Sequence, residues 1–260
     1  MSQIYIVSTG MGKGNYMTAN AVELLKKADL IVGYTKYIDD IKDLISGKEI
    51  YATGMMEEVA RCKYVLEQAL SHKKVALISN GDANVYGMAG LLMEIIEENN
   101  LWDTVEVTIE PGITSMLLAA SKAGAPIMGD FAVISLSNML TPIELIEKRL
   151  KNALEGDFVV GLYNPLSHTR KEPYSMYLKL LEKHRPLETP VVIAQNLGRD
   201  NEKVLLTNVK ELLAIKADIN VINMSTILII GNSFTKFVDS GKKVITQRGY
   251  QNNYNYALGE

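Results

Sequence analysis

Asp130-Phe-Ala-Val-Ile-Ser-Leu-Ser-Asn-Met-Leu-Thr-Pro-Ile-Glu-Leu-Ile-Glu-Lys-Arg149-Leu150 spells out a strand, a loop and a helix start in one run. Phe131 to Leu136 is apolar and β-branched, the pattern of a strand buried on both faces of a parallel sheet. Thr141-Pro142-Ile143-Glu144 reads as a helix start, with Thr at the N-cap, Pro at the first helical position and Glu reaching back to the cap. Between them, Ser135 to Leu140 is too polar for a core and too short to wander. Short strand-to-helix loops at the carboxyl edge of a parallel sheet are where α/β enzymes hold small molecules. An ordinary surface connection is the plain alternative.

The same alternation fills the rest of the chain. Ile4–Val7, Leu30–Val32, Val75–Ile78 and Val105–Ile109 read as strands of a first series. Thr18 is placed to cap a helix that ends near Lys26 and Lys27. Met88, Leu91, Leu92, Ile95 and Ile96 recur at the spacing of one apolar helix face. Ile113–Lys122 continues as a helix stopped by Gly124-Ala-Pro126. A second series follows, with strands at Phe131–Leu136, Phe158–Leu162, Val191–Ala194, Val204–Leu206, Thr226–Ile230 and Lys243–Thr246, and helices at Pro142–Leu154, Tyr174–His184 and Val209–Ile215. This predicts an α/β protein of two consecutive α/β domains, 1–124 and 125–249, with a polar tail at 250–260.

Composition narrows the function. The chain has 260 residues, 47% hydrophobic and 22% charged, with a net charge of -3. That balance is ordinary for a soluble enzyme and provides no field for nucleic acid or an anionic membrane. Any polyanionic ligand must be met by a local cluster of Lys and Arg. A single cysteine, Cys62, excludes an internal disulfide and fits a small core position in the helical run Glu57–His72. One thiol and three scattered histidines make a poor metal set, so no protein-bound metal is expected. No basic leader and no long apolar span are visible, so a cytoplasmic protein is expected.

Four loops that follow predicted strands could carry chemistry. Ser8-Thr-Gly-Met-Gly-Lys-Gly-Asn-Tyr-Met-Thr18 has three glycines but fails as a dinucleotide fingerprint, because Asn15 stands where the last glycine is needed and the second strand ends in Gly33-Tyr34-Thr35 without an acid. It also lacks the Gly-Lys-Ser/Thr ending of a phosphate loop. Ser79-Asn-Gly-Asp-Ala-Asn-Val-Tyr-Gly-Met88 can curl around a ligand, with Asp82 either a contact or a turn residue bonding its own backbone. In Glu110-Pro-Gly-Ile-Thr-Ser115, the Thr114 and Ser115 hydroxyls cap a helix or face a ligand. Tyr163-Asn-Pro-Leu-Ser-His-Thr-Arg170 adds Asn164, Ser167 and Arg170, while His168 has no acidic partner and reads as a loop residue.

The ordered set formed by the glycine loop, Gly81-Asp-Ala-Asn-Val-Tyr-Gly87, Pro111-Gly-Ile-Thr-Ser115 and Ser225-Thr-Ile-Leu-Ile-Ile-Gly231 resembles the tetrapyrrole methylase family, from Ile4 to about Gln247. The opening stretch, Leu162-Tyr-Asn-Pro-Leu-Ser167 and Asn196-Leu-Gly-Arg-Asp200 resemble its branch that methylates carbon 17 of precorrin-3B or cobalt-factor III, with ring contraction, in corrin biosynthesis. The resemblance implies S-adenosylmethionine as cofactor, S-adenosylhomocysteine as product, two α/β domains with cofactor and substrate between them, and a homodimer. It also implies cofactor contacts at Asn80, Gly81, Asp82, Val85, Thr114, Ser115, Asn164, Asn196, Leu197, Ser225 and Thr226. Substrate contacts are expected at Gly12, Lys13, Gly14, Ser135, Ser137, Asn138 and Arg170.

The tetrapyrrole is a polycarboxylate, so Lys13, Lys36, Arg170, Lys171 and Arg199 are the candidate partners for its acids. Any cobalt would arrive inside the substrate. No nucleophile–base pair is evident; Tyr34, Lys36 and Ser137 are the candidates for proton transfer. The chain departs from the family at Gly12-Lys13-Gly14, where Gly-Pro-Gly and a longer loop are usual, and at Ile143, where an aromatic residue is usual. A sister enzyme for another tetrapyrrole position, an RNA or diphthine methylase, and a non-catalytic tetrapyrrole- or nucleotide-binding protein are the competing readings.

Overall fold

The computed structural model describes residues 1–256. They divide into two compact units, residues 1–115 with 198–200, and the remaining described residues.

The first unit contains β1 (Ser2–Ser8), α1 (Ala19–Lys27), β2 (Leu30–Tyr34), α2 (Thr35–Asp40), β3 (Glu49–Thr53), α3 (Glu58–Leu70), β4 (Val75–Ser79), α4 (Ala89–Glu98) and β5 (Val105–Glu110). Its sheet runs β3-β2-β4-β1-β5 with every pair parallel. On one face Ile4, Ile6, Val32 and Leu77 meet Cys62, Val65, Leu92 and Ile96 from α3 and α4. On the other, Tyr5, Val7, Ile31 and Ile78 meet Leu24, Leu25 and Ile38 from α1 and α2. Double coverage is why the central strands read as unbroken apolar runs. Thr18 caps α1 as its position predicts, its hydroxyl accepting from Ala21 N at 2.9 Å, and Lys26 and Lys27 close the last turn. The chain leaves β1 toward β2 and leaves β4 toward β5, on opposite sides. The carboxyl ends of these neighbouring strands therefore form a topological switch point.

The second unit takes up α5 (Ser115–Ala123) from Met116 onward, then β6 (Gly124–Ala125), β7 (Phe131–Ser135), α6 (Ile143–Glu155), β8 (Val159–Tyr163), α7 (Glu172–His184), β9 (Pro190–Gln195), β10 (Lys203–Asn208), α8 (Val209–Ile215), β11 (Thr226–Ile230), β12 (Thr235–Val238) and β13 (Lys243–Thr246). Its main sheet runs β10-β9-β11-β8-β7, and only β7 and β8 pair in parallel. A small sheet, β12-β13-β6, completes it. The core joins Ile146, Leu150 and Leu154 of α6 to Tyr174, Tyr177 and Leu181 of α7 over Val160, Leu162 and Leu228.

Two expectations for the opening stretch are corrected. β7 is an edge strand and is not covered on both faces: Phe131 and Val133 are 45% and 36% exposed, while Ile134 is buried. An apolar run states that a strand is β-branched, not how many neighbours cover it. The helix cap is also displaced by one residue. Pro142, extended at ψ 141°, is the N-cap, and its carbonyl takes the N–H groups of Leu145 and Ile146, both at 3.1 Å. Neither Thr141 nor any other side chain caps this helix, and Glu144 contributes only its charge in the first turn. The polar tail read at 250–260 opens with one 3-10 turn at Tyr250–Asn252, and residues 257–260 lie outside the described residues. Among the described residues no helix is long and apolar enough to cross a membrane.

Candidate active site

Three loops of the first unit meet at the switch point. Gly10 and Gly81 exchange backbone hydrogen bonds at 3.1 and 2.7 Å, joining the β1–α1 loop to the β4–α4 loop. Both are held at positive φ, which glycine adopts without strain. Ser8 Oγ accepts from Ala83 N at 2.8 Å, which fixes the start of the second loop against the first strand. Asp82 joins the third: its Oδ1 takes Asn84 N at 2.8 Å, and its Oδ2 takes Gly112 N at 2.9 Å. A Cβ on Gly112 would lie 2.3 Å from Gly81 O, so the backbones approach as closely as they can. Thr114 lies beside Gly81, and Ser115 begins α5. Asn80 donates weakly to Met11 Sδ at 3.5 Å, while its Oδ1 is enclosed without a hydrogen-bond partner among the described residues. Val85 N closes the turn on Asp82 O at 3.1 Å.

The glycine loop is anchored from two directions. Glu110, at the end of β5 and 7% exposed, accepts from Thr18 Oγ1 and Asn20 Nδ2. Gly12 lies against Gly198, and a Cβ on Gly12 would fall 1.9 Å from Gly198 O. Next to this contact Lys13 pairs with Asp200 at 2.6 Å, both side chains exposed. Arg199 forms a two-point ion pair with Asp40, the side chains only 15% and 14% exposed. Two of the cations set aside for substrate acids are thus matched within the protein.

Tyr34 stacks edge-on to Tyr37 at 5.0 Å, and burial raises the Tyr37 hydroxyl above the usual tyrosine range. Lys36, in the first turn of α2, is exposed. Among the described residues neither has an acid–base partner at hydrogen-bond distance that would set it up for proton transfer.

In the second unit, the loops after the parallel strands β7 and β8 are bonded to each other. Asn164 Nδ2 donates to Ser135 Oγ at 3.0 Å, Ser137 N donates to Ser135 Oγ at 3.2 Å, and Arg170 Nη1 donates to Ser137 Oγ at 3.0 Å. Arg170 also reaches Asn164 O at 3.2 Å and Met224 Sδ at 3.1 Å. Asn138 and Lys171 are exposed beside this cluster. Elsewhere in the unit Asn196, at φ 50°, bonds through its N–H to Ser225 O at 3.1 Å, which brings Asn196 and Leu197 alongside Ser225 and Thr226.

Ser8, Glu110, Asp40 and Met224 are parts of these arrangements that sequence reasoning did not single out. Glu110 has a local signal, an acid ending a strand just before Pro-Gly; the other three depend on long-range pairing. Among the described residues no group of His, Cys, Asp and Glu is assembled to hold a metal ion.

The family described as Tetrapyrrole (Corrin/Porphyrin) Methylases matches residues 3–213. A relative from Methanocaldococcus jannaschii, named probable cobalt-factor III C(17)-methyltransferase, is 43% identical over 253 residues, 96% of this chain and 99% of that protein. One of the same name from Salmonella typhimurium is 40% identical over 94% of this chain and 98% of its own. Among solved structures, the methyltransferase CobJ matches with a TM-score of 0.87 and 31% identity, over 95% of this chain and all of that one.

Proposed function

We propose, from the premise that this chain belongs to the tetrapyrrole (corrin/porphyrin) methylases, that it transfers a methyl group from S-adenosylmethionine to carbon 17 of cobalt-factor III, with ring contraction, in corrin synthesis. One observation carries the position on the ring: end-to-end identity of 43% with a relative bearing that activity in its name. Metal-free precorrin-3B is the second substrate of this reading.

The cofactor of this family fits the first unit. Asn80 Oδ1 is an acceptor with no hydrogen-bond partner among the described residues, Gly81 is held at positive φ by its backbone bonds to Gly10, and Ser115, next to Thr114, opens α5. We assign Asn80, Gly81, Asp82, Val85, Thr114 and Ser115 to it. Asp82 serves this site chiefly by fixing the loops, since both its oxygens already accept backbone N–H groups.

When bound, the cofactor supplies a sulfonium methyl, electrophilic and already on a good leaving group. The protein therefore has to hold, align and dry the partners. Alignment alone can lower the barrier by about 7–11 kcal/mol. That division of labour agrees with loops rich in glycine, small hydroxyl residues and backbone bonds.

Calorimetry with S-adenosylhomocysteine, followed by mass spectrometry of products from cobalt-factor III and precorrin-3B side by side, tests the proposal. Cofactor binding with a one-methyl mass gain on the cobalt substrate supports it. Methyl transfer only to a different tetrapyrrole would reassign the enzyme to a sister branch.

A further inference from the structure

Arg170 stands apart from the other candidate cations. Lys13 and Arg199 are matched by Asp200 and Asp40, and Lys36 and Lys171 stand in solvent. Arg170 is partly buried, and no carboxylate of the described residues lies within ion-pair distance of it. Its three neighbours are a hydroxyl, a backbone carbonyl and a thioether, the last a weak acceptor. Its Nε is enclosed and has no hydrogen-bond partner among the described residues.

A guanidinium drawn out of water without a countercharge is costly unless an anion arrives to complete it. The same desolvation pulls the Arg170 pKa below the usual arginine value. The group is also held in place: Ser167 Oγ accepts Arg170 N at 2.9 Å, and Asn164 is fixed at φ 52° with its amide on Ser135. Because Ser137 Oγ accepts from Arg170, its own hydrogen remains a donor for a further partner. Cation and hydroxyl lie side by side in loops that follow adjacent parallel strands.

We infer that Arg170, with the Ser137 hydroxyl beside it, is the receptor for one carboxylate side chain of the tetrapyrrole and so fixes how the macrocycle is oriented. The inference rests on the proposed substrate class, a polycarboxylate macrocycle. Recognition is of the acid and is indifferent to the central metal.

The test is a titration followed by tetrapyrrole absorbance, with S-adenosylhomocysteine present so that no turnover occurs. Cobalt-factor III and uroporphyrin III are each offered as the free acid and with their carboxylates amidated, to wild type, R170Q and R170K. R170Q is expected to weaken the free acids by about 10- to 100-fold, as loss of one charge-assisted bond implies. It should leave the amides and S-adenosylhomocysteine within about twofold of wild type, and flatten the salt dependence of acid binding. R170K should recover part of the loss. An equal loss on acid and amide, or no loss on either, would overturn the receptor. If wild type binds both acids but methylates no cobalt-factor III, the functional reading fails while the acid–amide comparison still decides Arg170. If wild type binds neither tetrapyrrole, both readings fall.

Discussion

Asp82 and Gly112 are joined by a 2.9 Å hydrogen bond from the Gly112 N–H to the Asp82 carboxylate, across thirty residues of sequence. The other carboxylate oxygen takes Asn84 N at 2.8 Å. One side chain thus sets the curl of one loop and ties it to the next. Replacing Asp82 with Ala leaves two backbone donors without their acceptor, at an expected cost of about 1–3 kcal/mol. Denaturant unfolding should show that loss, and calorimetry should show S-adenosylhomocysteine affinity falling by about 5- to 150-fold, the same energy. D82N, which keeps one acceptor oxygen, should fall between. Unchanged affinity in D82A would remove the loop-fixing role.

Glycine substitutions separate contact from conformation. G112A places a Cβ 2.3 Å from Gly81 O and 2.6 Å from Ser8 Cβ, and backbone cannot yield as a flexible side chain does. Its expected cost is about 1–3 kcal/mol or more, seen as a lower thermal midpoint. G90A, early in α4 with no atom within 4 Å of its Cβ, should be neutral or stabilising by up to about 1 kcal/mol. Similar destabilisation in both would contradict the packed geometry at Gly112.

Central elements were legible in the sequence because their chemistry is local. Thr18 announces α1, and the apolar face of α4 appears at its helical spacing. β3 was not legible: Glu49-Ile-Tyr-Ala-Thr53 is short, mixed and at the sheet edge, where only one neighbour needs an apolar partner. β7 was legible as a strand but not as an edge, and Thr141 was read as the cap of α6 where the backbone starts the helix one residue later, from Pro142. At the candidate site, glycines and small polar residues marked the right loops. The pairings Lys13–Asp200 and Arg199–Asp40, 187 and 159 residues apart, could not be read from composition. They decide which cations remain for a ligand.

Those two ion pairs should differ sharply in weight. D40A leaves Arg199 mostly buried without its countercharge, and a loss of about 3 kcal/mol is expected in denaturant unfolding. K13A breaks an exposed pair and should cost no more than about 1 kcal/mol, shrinking further with salt. Equal effects would mean that Arg199 is solvated in solution.

Cys62 is fully buried in the first unit, and burial pushes its thiol up to about 12. The native protein should therefore resist thiol reagents near neutral pH and react fully once unfolded. The unfolded thiol titrates near its ordinary value of 9.0, so stability from this group is intact below that pH and is lost as pH rises toward 12. C62A, though less stable overall, should show a shallower alkaline loss. Rapid labelling of the folded protein at neutral pH would contradict this burial.

The proposed reaction is methyl transfer to carbon 17 with contraction of the ring. Incubation of cobalt-factor III with S-adenosylmethionine carrying a carbon-13 methyl, followed by nuclear magnetic resonance of the demetallated product, reads the position directly. A single labelled methyl on carbon 17 of a ring-contracted macrocycle is expected. A labelled methyl on any other carbon, or unlabelled starting material recovered with cofactor bound, would contradict it.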